Sequence, residues 1–253
     1  MLETFQNFFA PPRHMILLVI AAWLGLTLAE RRAENHGISK DDLNNITFYG
    51  LIAFVIGGRI SYVLQNLSAF SKSPLGILSI NPDLFDPLGA LAAACIVALV
   101  YGQRKQLTLW NTLDALTPFL AVFAIGSGLS HLAAGTAFGQ PTELPWGIEM
   151  WNATRHPTQM YETLASLLTL GLILLFKPHQ RPGFLFLIFT AQASFWQLVI
   201  HAFRADSTMI VNGLRQEQIL AWVVLAFSFI CLELIDPRPP MKKLIDSKYK
   251  GPG

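Results

Sequence analysis

Charged side chains are scarce in this sequence. Asp, Glu, Lys and Arg make up 13% of its 253 residues, against about 25% in soluble globular domains. That shortage removes most of the solvated surface a soluble domain needs, and 53% of the residues are hydrophobic. The net charge is only +2 and the basic residues form no extended face, which excludes nucleic acid as a partner. Cysteine is nearly absent as well. Cys95 and Cys231 lie far apart, each inside an apolar run, so they read as small buried side chains rather than a disulfide, a metal clip or a nucleophile. No internal repeat of useful length occurs, and no linker is long or polar enough to divide the chain.

Apolar runs are abundant. A membrane helix needs about 20 mostly apolar residues, and seven runs qualify, near 14–30, 47–66, 86–102, 110–132, 157–177, 183–203 and 216–235. The sequence therefore predicts an all-α integral membrane protein, a bundle of seven transmembrane helices forming one domain over residues 1–235. A short basic tail follows over 236–253. No small-residue cleavage motif follows the first run, which ends at Glu30, Arg31 and Arg32, so it reads as a retained anchor. Lys and Arg cluster after the first, third, fifth and seventh runs, for example at Arg31, Arg104, Lys177 and Lys242. By the positive-inside rule this puts the N-terminus outside and the C-terminus in the cytoplasm. Two outer connections, about 67–85 and 133–156, mix Pro, Trp and aliphatic residues and suit the lipid-water interface. Small residues such as Gly57, Gly58, Gly89, Gly126 and Gly128 suit close helix packing.

Polar residues interrupt these runs in a pattern. The octapeptide RHPTQMYE, 155–162, opens the fifth run, with Pro157 suited to the first helical position. His156, Gln159 and Thr163 then share a stripe, and Glu162 stands at its margin, about one and a half turns below the surface. In the sixth run Thr190, Ser194, Gln197, His201 and Arg204 recur at steps of four and three, a continuous polar face. A charge at mid-membrane costs about 2.5 to 3.5 kcal/mol on insertion scales, so such faces turn inward or line a wet cavity. His14, Arg59, His131, His156, Glu162 and Arg204 all fall toward the outer half. The pattern predicts an outward-facing polar cavity for a charged or headgroup-bearing substrate.

Several of these segments resemble the prolipoprotein diacylglyceryl transferase family: GGRISY at 57–62, DALTP at 114–118, FGQPTELPWG at 138–147, HPTQMYE at 156–162, and Arg204 after the polar stripe. The resemblance spans roughly residues 13–235. It implies a multi-pass enzyme of the bacterial inner membrane that moves diacylglycerol from phosphatidylglycerol to the lipobox cysteine of a secreted precursor, with no cofactor and no metal. It further implies catalytic roles for Glu162, His156, Tyr161 and His201, with Glu162 as a proton acceptor. Headgroup contacts fall to Arg59, Arg204, His131, Gln159 and Gln197.

This chain departs from the family at charged positions. Gly128 and Gln197 stand where arginines are expected, Leu88 where a histidine is, and Met15 where a first-helix tyrosine is. A guanidinium contact is roughly twice as strong as a neutral one, so these are not conservative changes. Three readings stay open. The chain is a divergent transferase, or a degenerate member that binds lipid or serves as a structural subunit of a membrane complex, or a metal or proton site of His131, His156, His201 and Glu162.

Overall fold

A computed structural model describes residues 2–79, 84–176, 181–207, 209–211 and 214–235. The expected basic tail and Lys177 lie outside these residues. The described helices are α1 (Leu2–Phe8), α2 (Met15–Ala33), α3 (Lys40–Gln65), α4 (Leu67–Lys72), α5 (Pro87–Arg104), α6 (Leu109–Ala134), α7 (Thr158–Leu175), α8 (Phe184–His201) and α9 (Gln216–Ile235). Six of them, α3 and α5 to α9, are long and apolar enough to cross a membrane. α2 has 19 residues and carries Glu30, Arg31 and Arg32 near its end.

Local chemistry explains the helix starts. α3 begins seven residues before the apolar run because the Ser39 hydroxyl accepts the Asp42 backbone N–H at 3.0 Å, with Asp41 and Asp42 in the first, dipole-favoured turn. Asp86 caps α5 in the same way through the Leu88 and Gly89 N–H groups, and Pro87 occupies the first helical position.

Packing is centred on α6, which contacts α2, α7 and α8, while α9 leans on α8 and α5 pairs with α3. Half of the apolar window of α6 is buried, against 6% of that of α5, so α6 is the hub and α5 faces lipid. Cys95 is accordingly exposed on α5 rather than buried, contrary to the sequence expectation. Where α3 crosses α5, a Cβ on Gly57 would lie 2.2 Å from the Ala93 Cβ, so the contact requires glycine.

Side chains tie the helix ends together. Buried Asp114 of α6 accepts the N–H groups of Gly183 (2.7 Å) and Phe186 (2.8 Å) at the start of α8, and Arg32 donates to the Phe176 carbonyl (2.8 Å) after α7. At the opposite ends, Gln6 donates to the Leu132 carbonyl of α6 (3.0 Å). These bonds satisfy helix-terminal groups that lipid cannot.

The expected all-α character holds for the helical body but not for the connections. Within the segment 133–156, residues 148–155 form a hairpin, β1 (Ile148–Met150) against antiparallel β2 (Ala153–Arg155), turning through Trp151 and Asn152 at positive φ. Bridges join Pro141 to Arg155 and Gly139 to Arg204, extending the patch to the end of α8. A second short pair, β3 (Met209–Val211) and β4 (Leu214–Arg215), precedes α9. Strand pairing is how these non-helical segments satisfy their backbone groups.

Asp114→Ala removes an acceptor shared by two buried N–H groups. It is expected to cost about 1–3 kcal/mol, read as a lower unfolding temperature in detergent.

Candidate functional site

A cavity of about 320 Å³ lies between α6, α7 and α8. Its walls are mainly apolar, with Leu120, Ala121 and Phe123 from α6, Ala165 from α7 and Phe189 and Ala193 from α8, interrupted by the hydroxyls of Ser127, Ser166 and Thr169. Its polar end is built where the C-terminal end of α6, the N-terminal turns of α7 and the end of α8 come together. There stand His131, Glu162, Gln197 and Arg204.

Glu162 organises this end. Its side chain is 9% exposed, and each carboxylate oxygen has a partner: Oε2 lies 2.9 Å from His131 Nδ1, and Oε1 accepts Arg204 Nη1 at 3.1 Å. Arg204 in turn donates from Nε and Nη2 to the two oxygens of Asp206, both at 2.9 Å. Burial opposes the charge of Arg204, but the hydrogen bond and charge of Asp206, with Glu162 and Glu217 behind, outweigh it and hold the guanidinium protonated. The Arg204 carbonyl is itself gripped by Arg215, a buried guanidinium that also donates to the His201 carbonyl and to Ser207 Oγ. A His131 ring that donates from Nδ1 to Glu162 keeps its other nitrogen as an acceptor, the arrangement that orients a general base.

The other sequence candidates stand elsewhere. His201 is buried beside the cavity, with Nδ1 3.3 Å from Ser207 Oγ. His156 and Tyr161 form an aromatic cluster under the hairpin. The Tyr161 hydroxyl accepts Trp146 Nε1 at 2.9 Å, and the His156 ring centroid is 4.9 Å from that of Phe203. Gln159 is fully buried and donates to the Thr136 carbonyl at 2.7 Å, holding the segment that follows α6. Arg59 is distant in the fold, donating to the carbonyls of Gly76, Ile77 and Leu84 and lying over the Phe70 ring. The polar face of α8 is divided: Gln197 and Arg204 face the cavity, whereas Thr190 bonds Ser228 of α9 at 3.0 Å.

Asp206 and Arg215 were not singled out from the sequence. Asp206 sits two residues from Arg204, a spacing that suits a chelating pair in a turn; nothing local marks Arg215. Among the described residues no group of three or more His, Cys, Asp or Glu side chains converges as a metal site. His131, His156 and His201 have three separate partners.

Gly128 is at the tightest point between α6 and α7. A Cβ there would meet Thr163 Oγ1 at 2.5 Å, the Thr163 nitrogen at 3.0 Å and the Gln159 carbonyl at 3.2 Å. The seam at Gly128 is therefore a closed helix contact with no room for a side chain.

Comparison with known proteins identifies the family. The family model for prolipoprotein diacylglyceryl transferase matches residues 13–234. The chain is 27% identical over 230 residues to a phosphatidylglycerol–prolipoprotein diacylglyceryl transferase of Acaryochloris marina, covering 86% of this chain and 84% of that one. It is 28% identical over 228 residues to the protein of that name from Thermotoga maritima, covering 84% and 77%.

Gly128→Arg is expected to separate α6 from α7 rather than restore a cation, destabilising by about 1–3 kcal/mol as overpacked sites do. Thermal unfolding in detergent measures the loss, and a rise in stability would contradict the closed contact.

Proposed function

Because this chain belongs to the prolipoprotein diacylglyceryl transferase family, we propose that it is a membrane transferase that moves the diacylglyceryl group of a glycerophospholipid to a cysteine thiol of a protein precursor. Phosphatidylglycerol, the donor in the relatives' names, is the first donor to test. The protein is a multi-pass membrane protein. We read it as seven crossings in the bacterial inner membrane, α2 included, with the N-terminus outside and the cavity's polar end toward the outer surface. The distribution of Lys and Arg supports that orientation.

One observation carries the reading: the linked His131, Glu162 and Arg204 stand at the polar end of a mainly apolar cavity. An acyl chain matches the apolar walls, and a headgroup matches the polar end. In the proposed step the thiol gives its proton to the free nitrogen of His131, which Glu162 orients. The sulfur attacks the glycerol carbon bearing the phosphodiester oxygen, that C–O bond breaks, and its electron pair leaves on the phosphate. Arg204 stabilises the departing anion. This gives Glu162 an orienting role and His131 the basic one. Tyr161 and His156 shape the rim, and His201 supports the end of α8.

A second reading has its own observation. Arg204 is held by two carboxylates, Glu162 and Asp206, and no guanidinium stands at 128 or 197. A member that binds lipid without turning it over has this electrostatics.

Purified protein with phosphatidylglycerol vesicles and a cysteine-bearing lipobox peptide distinguishes the two. Transfer is expected, measured as thioether-linked diacylglyceryl peptide by mass spectrometry. His131→Gln and Glu162→Gln are each expected to lower the rate by about 10²- to 10³-fold. Folded, lipid-loaded protein that yields no product and fails to rescue a transferase-depleted bacterium supports the binding role instead.

A further inference from the structure

Three hydroxyls interrupt the cavity wall below its polar end, and they bear on which part of a lipid it reads, an inference that rests on the lipid reading above. Ser127 of α6 and Ser166 and Thr169 of α7 line the hollow. The two helices meet in a register that sets His131 against Glu162. Ser127 stands four residues before His131 and Ser166 four after Glu162, so both lie one turn deeper, by about 6 Å at the rise of a helix. Thr169 stands almost a turn deeper again and is 2% exposed.

None of these three hydroxyls has a hydrogen-bond partner among the described residues. Others on the same helices behave differently: Thr163 donates to the Gln159 carbonyl one turn back, and Thr117 to that of Leu113, both at 2.8 Å. A helical hydroxyl in apolar surroundings can always take that local carbonyl, and leaving it unbonded there is costly. Three that forgo it and border one hollow are donors for an occupant. The side chains around them, Phe123, Ala165, Phe189 and Ala193, are apolar, so the acceptors come from that occupant. A glycerophospholipid carries them at the right depth. With its phosphate at the polar end, the glycerol backbone leads inward to two acyl ester carbonyls before the chains begin. A carbonyl oxygen offers two lone pairs to such donors, whereas an ether-linked chain presents no carbonyl at all.

We propose that Ser127, Ser166 and Thr169 form a subsite for the acyl ester carbonyls of the bound lipid, so that the cavity takes diacyl glycerophospholipids in preference to ether-linked ones with the same headgroup. The hydroxyls take no part in the bond changes. They set how far the glycerol sinks and so hold its reacting carbon level with His131.

The test uses the full-length protein in nanodiscs of equimolar diacyl phosphatidylglycerol and its dialkyl ether analogue with matched chains, and counts protein-bound lipid by native mass spectrometry. The wild type is expected to favour the diacyl lipid by about tenfold, the effect of two ordinary hydrogen bonds. A variant combining Ser127→Ala, Ser166→Ala and Thr169→Val is expected to bind the two equally and to keep the wild-type unfolding temperature, because the hydroxyls bond nothing in the fold. Equal binding by the wild type, or a preference that survives in the triple variant, overturns the ester subsite. A triple variant that loses its fold shows the hydroxyls to be structural and overturns it as well. Bound lipid that is undiminished by Ala193→Trp, which fills the cavity, overturns the lipid cavity itself, a distinct failure.

Discussion

The pairing of Glu162 governs the rest of the site. A carboxylate enclosed by helices is stable only with partners that meet its oxygens, and here those partners come from two other segments of the chain. His131 approaches from α6 and Arg204 from beyond α8, so one side chain fixes the relative position of three helix ends. The same requirement reaches outward. Arg204 is held by Asp206, its backbone by Arg215, and its strand by the bridge to Gly139. With Asp114 tying α6 to the start of α8 at the opposite end, the bundle gains a second polar clamp here.

Much of this was legible in the chain. Apolar runs near 20 residues located the helices, since no other structure satisfies the backbone of such segments in lipid. The polar residues of 155–162 and 190–204 marked the end at which the site lies. Steps of three and four residues on α8 did not reveal that the face divides, because periodicity gives a side and not a neighbour. Thr190 turns to Ser228 while Gln197 and Arg204 turn to the cavity. Arg59 matched a family motif yet serves the loop carbonyls of 76, 77 and 84. Asp206 and Arg215 owe their places to folding of the segment between α8 and α9, where short turns leave no periodic signal.

The site also shows where charge is concentrated. His131, Glu162 and Arg204 meet in one cluster, while Gln197 takes a place on the cavity wall without charge and Gly128 lies in a seam that admits no side chain. The polar end therefore depends on one linked network rather than on several independent cations.

The α6–α7 contact at Gly128 also limits what chemistry this seam can acquire. With Thr163 and the Gln159 carbonyl pressed against it, the glycine acts as a keystone, and a longer side chain would demand that α7 withdraw. Any ligand chemistry at this end must therefore come from the residues that line the hollow.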